Sequence, residues 1–259
     1  MMVSSDYIKS LLKKGFRLDH RNVEEYRQPV EVEYSVSSKS AEGSARVRIG
    51  DTEVVAGVKL ELGEPFPDVP DEGTIVVNVE LLPMSSPEYE PGPPGIDAVE
   101  ISRVVDRGIR EAHAVDFKKL YVPELKKMWM VMIDIYPINA AGNLFDACAL
   151  AAIAALKDAH FPTLKEEDGK IDYMKKTNKP LPLEKLPVSC TVHKIAGKFL
   201  IDPVRDEEKA SEARLTVAFT EKGNICAMQK GGKVQLTSHD IEAMVNIADK
   251  KTKELRDAL

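Results

Sequence analysis

The sequence predicts an α+β fold made of two subdomains, each combining a group of strands with helices. Two observations lead to this class. In the first half, strand-like segments with alternating apolar and polar residues lead into helical segments. In the second half, a further series of short strand-like segments again leads into a helical segment. Strands followed by helices, twice over, are typical of an α+β chain, and no close sequence repeat relates the two halves.

The first subdomain is predicted to cover residues 1–161. It begins with a short amphipathic helix that Ser4 or Ser5 caps, that runs to Leu12 and that Gly15 closes. Four strands follow, at residues 30–36, 45–49, 52–62 and 74–82. An amphipathic helix, an apolar strand and an Ala- and Leu-rich helix complete it, at residues 97–114, 129–137 and 143–159. The small residues of the last helix predict close packing against a sheet.

Three segments of this chain are expected to lack regular structure. Two proline-rich loops cover residues 63–70 and 83–95. Proline fixes φ and removes an N–H donor, so the second loop is expected to be irregular but stiff. Long loops are often functional, although a plain surface connection explains this one equally well. Residues 162–187 are polar, charged and contain prolines, which indicates a linker or excursion.

The second subdomain is predicted to cover residues 188–259. Its four strands are expected at residues 188–195, 198–201, 215–219 and 225–229. The last element is a helix that begins at a Ser238 or Asp240 cap and runs to about Leu255.

The composition indicates an ordinary globular chain, with 43% hydrophobic and 30% charged residues. No apolar run reaches the roughly 20 residues that span a bilayer, and the first residues lack the apolar core of a signal peptide. We therefore expect a cytoplasmic protein without membrane attachment. The 3 cysteines and 5 histidines are scattered without ligand spacing, so we expect no disulfide framework, metal site or cofactor.

The net charge of −6 limits how this chain can contact nucleic acid. A free-standing nucleic-acid binder usually carries a positive balance. Any RNA contact is therefore expected from a local patch, or from a surface shared with another chain.

The predicted helix at residues 97–114 carries a row of arginines. At about 100° per residue, Arg103, Arg107 and Arg110 fall within about a 60° arc. The opposite side is apolar, with Ile101, Val104, Val105, Ile109 and Ala112. Arginine offers a planar fork of donors that matches phosphate oxygens, so this face is a candidate site for a phosphodiester backbone.

A second interpretation of the same face is a solvated surface held by local ion pairs. Acidic partners stand three or four residues away, in the pairs Asp106–Arg110, Arg107–Glu111 and Glu100–Arg103. From spacing alone this second interpretation is favoured, because charged helix faces are common.

An ordered series of motifs runs from about Gly15 to Leu255. It opens with Arg17-Leu18-Asp19-His20-Arg21 and Glu25-Tyr26-Arg27, and continues through Gly43-Ser44-Ala45, Gly50-Asp51-Thr52, Val54-Val55-Ala56 and Pro70-Asp71-Glu72-Gly73. The sharpest segments are Glu90-Pro91-Gly92-Pro93-Pro94, Arg103 to Arg110, and Ala140-Ala141-Gly142-Asn143-Leu144 followed by Asp146-Ala147. The series resembles the ribonuclease PH family of phosphorolytic RNA-degrading rings. Its sharpest segments resemble the non-catalytic ring subunits of archaeal exosomes rather than their catalytic counterparts, and His20 stands where glycine is usual.

The resemblance implies a ribonuclease PH-like fold with two βαβα-type subdomains, each like domain 2 of ribosomal protein S5. It implies a heterodimer with a catalytic ribonuclease PH-like paralogue, and three such heterodimers closing a hexameric ring that threads single-stranded RNA. RNA-binding cap proteins are expected as further partners. In relatives, arginines on this helix hold RNA beside the partner's active site. The resemblance therefore favours RNA binding by Arg103, Arg107 and Arg110 over the ion-pair interpretation.

Two positions depart from the catalytic members. Phosphorolysis needs a site for inorganic phosphate and an acidic residue. Catalytic relatives place the phosphate at a helix N-terminus, beneath a Gly-Thr-Arg or Gly-Ser-Arg-like turn, where this chain has Gly142-Asn143-Leu144-Phe145-Asp146. Asp146 is expected to stabilise the helix end as a first-turn acid and to repel phosphate. The aspartate of catalytic relatives matches Arg214, which cannot act as a carboxylate base.

The leading hypothesis is a non-catalytic subunit that shapes its partner's active site and helps to bind RNA, with no catalytic residue, cofactor or metal of its own. A second hypothesis is an active phosphate-dependent 3′–5′ exoribonuclease that uses Glu207, Glu208 or Glu212 as its acid. A third is a homomeric binding protein unrelated to RNA decay.

Overall fold

The first half of the chain forms a six-stranded sheet with two long helices. The computed structural model describes residues 3–164 and 171–259. In chain order the first half contains α1 (Ser5–Lys13), β1 (Val30–Tyr34), β2 (Gly43–Ile49), β3 (Thr52–Gly63), β4 (Thr74–Val79), α2 (Ile96–Glu111), β5 (Tyr121–Val122), β6 (Lys127–Asn139) and α3 (Leu144–Asp158).

Strand order in this first sheet is β1-β2-β3-β6-β4, with the short β5 paired to the start of β6. Strands β4 and β6 are parallel, and the other neighbours are antiparallel. Strand β3 shows the alternation that predicted it, because Val54, Ala56, Val58 and Leu60 are fully buried while the residues between them are partly exposed.

The second half forms a two-stranded hairpin and a four-stranded antiparallel sheet of order β10-β9-β11-β12. Its elements are β7 (His160–Leu164), β8 (Ile171–Pro180), β9 (Val188–Ile195), β10 (Lys198–Ile201), α4 (Arg205–Lys209), β11 (Ala213–Phe219), β12 (Ile225–Gly232) and α5 (Ser238–Arg256). The predicted α+β class is confirmed, and the predicted helices and strands lie where the sequence placed them, within a few residues.

The excursion expected at residues 162–187 contains regular structure that the sequence did not indicate. Strand β8 pairs with β7, and the Thr177 hydroxyl donates to the carbonyl oxygen of Phe161 at 2.8 Å. Strand β8 is mostly polar and its described residues are partly or fully exposed, so it lacks the apolar alternation by which strands are recognised. Residues 165–170 of the expected excursion lie outside the described residues, and the boundaries after residue 161 and before residue 188 stay predictions.

The cap of helix α5 is Thr237 rather than the predicted Ser238 or Asp240. The Thr237 side chain accepts a hydrogen bond from the Asp240 N–H at 3.1 Å, and the Asp240 carboxylate accepts one from the Thr237 N–H at 2.8 Å. This reciprocal capping box satisfies two donors at once, which explains why the helix begins one residue after threonine.

Helix α3 lies between the two halves of the chain and is buried on nearly all sides. It contacts β2 and β3 of the first sheet and β9 of the second. A Cβ atom at Gly43 of β2 would lie 2.4 Å from the carbonyl oxygen of Ala155. The close packing predicted from the small residues of α3 is therefore confirmed, and it also requires a glycine on the facing strand.

The opening arginine motif fastens the two halves together. Arg17 pairs with Glu207 at 2.7 Å, and both side chains are fully buried. Arg27 pairs with buried Asp202 at 2.8 Å, and its main-chain N–H donates to the same carboxylate at 2.6 Å. Between them, His20 has a φ of +63°, the left-handed region that glycine adopts without strain. The turn therefore keeps a backbone that favours glycine while carrying histidine.

Candidate nucleic-acid interface and the neighbouring cleft

Helix α2 has one apolar and one charged face, as its sequence predicts. Ile101, Val105 and Ile109 are buried in the core. Arg103 and Arg107 are exposed on the other side. Neither guanidinium forms an ion pair or hydrogen bond with any residue that the structure describes. Two cations therefore project from this face with their donors available.

Arg110, the third arginine of the helix, is already engaged. Its guanidinium pairs with Asp106 at 2.9 Å and donates to the carbonyl oxygen of Ile75 at 2.9 Å. It also lies 5.8 Å from the centre of the Phe117 ring. Its side chain is partly exposed, so it can add positive potential to the face while its Nε and Nη2 donors remain with the protein.

Two of the three local ion pairs that the spacing allows are not formed between the described residues. Glu100 lies 2.5 Å from Arg214 of β11 rather than beside Arg103, and Arg107 is free of Glu111. The partner of Glu100 approaches from the second half of the chain, which spacing along one helix cannot reveal.

A cleft of about 330 Å³ opens where α3 begins, and both halves of the chain line it. The Gly142–Asn143 turn is part of its wall, with positive φ angles of 112° and 54°. The carbonyl oxygen of Gly142 accepts from the Thr52 hydroxyl at 2.6 Å and from Arg27 at 3.1 Å. A Cβ atom at position 142 would lie 2.3 Å from the carbonyl oxygen of Pro203, so the turn requires glycine.

A carboxylate of the protein itself accepts a hydrogen bond from the main-chain N–H at the start of α3. The main-chain N–H of Asn143 donates to Glu208 Oε1 at 2.8 Å, and the Asn143 side chain donates to Asp202 at 3.0 Å. Burial raises the pKa of Glu208 to about 7, and the Asn143 N–H and Arg27 offset only part of that effect. The helix N-terminus, the usual place for an anion, therefore already holds an acidic side chain.

Asp146 lies in the first turn of α3, as expected, and its side chain is fully buried. Neither carboxylate oxygen has a hydrogen bond of normal geometry to a described residue. Burial raises the pKa of Asp146 to about 7, although nearby Thr191 and Asn143 lower it in part. The expected first-turn position of Asp146 is confirmed, but its side chain is buried and Glu208 takes the outer position. The effects of Asp146 on the helix end and on phosphate stay predictions.

Arg214 stands in the cleft beside the start of α3. Its guanidinium lies 4.5 Å from the centre of the Phe145 ring. His193, on the neighbouring strand, donates to or accepts from the Ser211 hydroxyl at 3.0 Å. Burial, with Arg214 and Arg17 adding to it, lowers the pKa of His193 to about 3, so this ring is neutral at physiological pH. The cleft thus has a fixed cation and a neutral imidazole.

Three glutamates were considered as catalytic acids, Glu207, Glu208 and Glu212. Among the described residues, Glu208 is the one of the three that lines this cleft. Glu207 is buried in its pair with Arg17. Glu212 pairs with Lys9 at 3.0 Å and accepts from the Ala196 N–H at 3.2 Å. Glu208 remains, and it binds Asn143.

No group of three or more His, Cys, Asp or Glu side chains is placed to hold a metal ion within residues 3–164 and 171–259. Within the same ranges, no helix is both long and apolar enough to cross a membrane. The three cysteines are free thiols, two of them buried and Cys226 partly exposed.

Both halves of the chain match models of known protein families. Residues 26–162 match the model for domain 1 of the 3′ exoribonuclease family, and residues 185–251 match the model for domain 2. The chain belongs to the RNase PH family of 3′ exoribonucleases. Its relatives within the RNase PH family include proteins named exosome complex component Rrp42. The one from Methanothermobacter thermautotrophicus is 45% identical over 96% of this chain and 91% of its own length, and the one from Thermococcus kodakarensis is 43% identical over 98% and 93%.

Solved structures agree with the RNase PH assignment. A chain of the Archaeoglobus fulgidus exosome with RNA bound to the active site superposes with a TM-score of 0.88 at 43% identity, covering 98% of this chain and 96% of that one. A chain of an archaeal exosome core superposes with a TM-score of 0.83 at 41% identity, covering 98% and 94%. The RNase PH-like fold expected from the motifs is confirmed.

The two stretches that the resemblance singled out meet in space. Gly142, Phe145 and Arg214 all line the cleft, and Arg214 packs over the Phe145 ring. The sequence treated them as two separate positions, but they belong to one site. The arginine face of α2 is continuous with it through Glu100, which pairs with Arg214.

Sequence reasoning missed a further contact at this cleft. Glu88, from the proline-rich loop at residues 83–95, lies 2.7 Å from Arg205 and also pairs with Lys209. Ser86 of the same loop hydrogen-bonds Arg205. The contact joins residues far apart in the chain, and no local pattern reveals it. It explains the order of an irregular loop more directly than its prolines do.

Proposed function

We propose that this chain is a non-catalytic subunit of an archaeal exosome-type ring, and that it helps to bind RNA for 3′-to-5′ phosphorolytic degradation by a catalytic paralogue. The observation that carries the proposal is the bond from the Asn143 N–H to Glu208. It places a carboxylate at the helix start where the resemblance expects catalytic members to bind phosphate. A buried internal acid competes there with inorganic phosphate for the same donor.

The environment of Arg214 supports the same conclusion. A permanently charged guanidinium, held by Glu100 and Phe145, stands at the position matched to a catalytic aspartate. It supplies no proton acceptor at neutral pH. The names of the relatives, exosome complex component Rrp42, support membership of an exosome.

RNA binding is proposed for Arg103, Arg107 and Arg110. The first two are exposed with free donors, which suits direct contact with phosphate oxygens. Arg110 contributes mainly through its charge, because its Nε and Nη2 donors are bound to Asp106 and Ile75. The net charge of −6 is compatible with this role if the RNA surface is completed by a second chain.

The proposed partners are a catalytic RNase PH-like paralogue in a heterodimer, three heterodimers in a hexameric ring, RNA-binding cap proteins and single-stranded RNA. The structure with RNA at the active site of the Archaeoglobus fulgidus exosome supports the link to RNA. The cytoplasmic location expected from the sequence stays a prediction.

The decisive experiment is co-expression with the catalytic paralogue, followed by native mass measurement and a phosphorolysis assay with and without this chain. We expect an equimolar complex, phosphate-dependent 3′-end degradation by the complex, and no turnover by this chain alone. Clear turnover by the isolated chain contradicts the proposal. Failure to form an equimolar complex favours a homomeric binding protein instead.

A second candidate function, an active exoribonuclease, draws support from one observation. Glu208 lines the cleft and burial raises its pKa to about 7, which is suited to general acid–base chemistry. Glu208→Gln in the assembled complex separates the two functions. An unchanged rate of phosphorolysis supports the non-catalytic subunit, and a rate reduced a hundredfold or more, about the value of one general acid–base group, supports catalysis here.

A further inference from the structure

A cavity of about 120 Å³ lies between α2 and the second sheet, directly beside the exposed arginines. Val104 of α2, Ala218 of β11, and Ala227 and Met228 of β12 form apolar walls. Arg103 and Arg107 line the same cavity. The two free guanidinium groups and an apolar space therefore belong to one site.

The cavity also contains a hydroxyl that the protein leaves without a partner. Ser189 of β9 is 4% exposed, and its hydroxyl forms no hydrogen bond to a described residue. The neighbouring Thr216 hydroxyl is already paired with Thr191 at 2.9 Å. The Ser189 oxygen is not fully enclosed by protein atoms, so it is open to hydrogen bonding by water or a ligand in the cavity. Gln229, exposed on β12, adds an amide to the same lining.

The size and chemistry of the cavity suit a flat heteroaromatic ring. A closed apolar cavity of about 150 Å³ holds a benzene molecule. This cavity, of about 120 Å³, is smaller, but it is bordered by the exposed Arg103 and Arg107, so a six-membered ring can enter it with one edge left at the mouth. Arginine guanidinium planes stack on bases, and unstacked RNA bases are recognised by stacking combined with hydrogen bonds at their edges. The apolar walls can contact the faces of the ring, and the planar guanidinium groups can stack on it. Ser189 and Gln229 can hydrogen-bond to its edge.

Charge favours RNA over a neutral aromatic ligand. Glu100, the acid that lines the cavity, is bound to Arg214. Arg103 and Arg107 are therefore left without an anion among the described residues. A ligand that fills the cavity and also brings phosphate to its edge satisfies both requirements.

We propose that this cavity holds one unstacked nucleobase of single-stranded RNA, while Arg103 and Arg107 bind the adjoining phosphates. The inference rests on the proposed RNA-binding function and extends it, because it adds a contact to a base where the arginine face alone contacts the backbone.

The test compares a short oligouridine with the same strand in which every base is replaced by an abasic ribose. Both are titrated by fluorescence anisotropy against the complex with the catalytic paralogue. Wild type is expected to bind the base-bearing strand more tightly, by about tenfold for one well-held base. Because the partner can also contact bases, the decisive comparison uses Ala227→Leu, whose larger side chain fills the cavity.

Ala227→Leu is expected to weaken binding of the base-bearing strand about tenfold and to leave binding of the abasic strand unchanged. That unchanged affinity also shows that the variant is folded and assembled. Gln229→Ala, at the exposed rim, is expected to act in the same direction with a smaller effect. Ile225→Ala, on the same strand but outside the cavity, is the matched control and is expected to change neither affinity.

Each outcome decides a different claim. If wild type binds both strands equally, or if Ala227→Leu and Gln229→Ala keep the wild-type preference, the base site is overturned while RNA binding stands. If Arg103→Ala with Arg107→Ala leaves both affinities unchanged, the proposed RNA-binding face fails, and the base site fails with it.

Discussion

The main-chain N–H of Asn143 donates a hydrogen bond to Glu208 at 2.8 Å. This contact joins the start of α3 in the first half to helix α4 in the second. It gives an internal anion the position that a helix N-terminus offers to phosphate. A contact between the two halves of the RNase PH fold therefore places an acidic side chain at the start of α3.

Glu208→Gln is expected to stabilise the protein at alkaline pH. The folded pKa of Glu208 is raised from 4.5 to about 7, so the native state binds a proton that the unfolded state has lost between these values. Stability therefore falls as pH rises from about 4.5 to 7, and the loss is complete above 7. Glutamine keeps the acceptor for Asn143 without the charge. We expect a gain of about 1–2 kcal/mol at pH 8 and little change at pH 4, as measured by urea unfolding.

The matched control for this prediction is Glu212→Gln. Glu212 is four residues after Glu208, just beyond helix α4, and it pairs with Lys9 near the surface. It is expected to change stability by less than about 1 kcal/mol at either pH. An equal gain from both variants at pH 8 indicates a general effect of net charge rather than the buried environment of Glu208.

Asp146→Asn is expected to remove a second pH-dependent contribution to the free energy of unfolding, this one from a carboxylate inside the core. Burial raises the pKa of Asp146 from 3.8 to about 7, so the sign is again a stability that decreases as pH rises through this range. Because the wild-type carboxylate has no hydrogen bond of normal geometry among the described residues, the amide is expected to be better tolerated at pH 8, by about 1–3 kcal/mol. Denaturation curves at pH 5 and pH 8 measure the difference, and a destabilisation of equal size at both values contradicts it.

Arg27→Ala is expected to destabilise the protein by about 3–5 kcal/mol, because it leaves Asp202 charged, buried and without its main partner. Arg27→Lys is expected to recover little of this, since a single ammonium cannot replace a guanidinium that also binds Gly142, Ala141 and Thr52. Thermal unfolding measures both. Arg48→Ala, which breaks a surface pair with Glu53, serves as control and is expected to fall within about 1 kcal/mol of wild type.

Salt dependence distinguishes phosphate contacts from surface ion pairs on α2. Each phosphate contact to a single strand contributes about 0.7 to the slope of log affinity against log salt. Arg103→Ala with Arg107→Ala is expected to reduce the slope of the complex by about 1.4. Arg110→Ala is expected to reduce it less, because its donors stay within the protein, and to lower thermal stability instead. If the wild type, the double variant and Arg110→Ala all show equal slopes, Arg103 and Arg107 are solvated surface charges that do not contact phosphate.

The elements of this fold were predictable from local pattern. Strand β3 was recognised by alternate burial, and α2 by its two faces, because each pattern repeats within a single element. Helix α1 was recognised in the same way, and Ser4, one of the two expected caps, accepts from the Tyr7 N–H at 3.3 Å. Strand β8 was missed because a polar, partly exposed strand shows no such repeat.

The site was only partly predictable. The sequence placed Arg103 and Arg107 on an exposed face, and the structure agrees. It placed Arg110 with them, but whether donors are free depends on Ile75 and Phe117, which belong to other elements. The sequence placed Asp146 in the first turn of α3, where the structure has it. That its side chain is buried depends on the packing of other elements against the helix.

The sequence by itself determined the α+β class, the order of the predicted elements and the arginine row, since these follow from periodicity and residue identity along one stretch of chain. Only the tertiary structure decided that Glu208 occupies the start of α3, that Arg214 and Phe145 share one cleft, and that an apolar cavity lies beside Arg103. These are contacts between residues distant in sequence, and they depend on how the two sheets pack around α3. Packing of that kind leaves no local pattern to read.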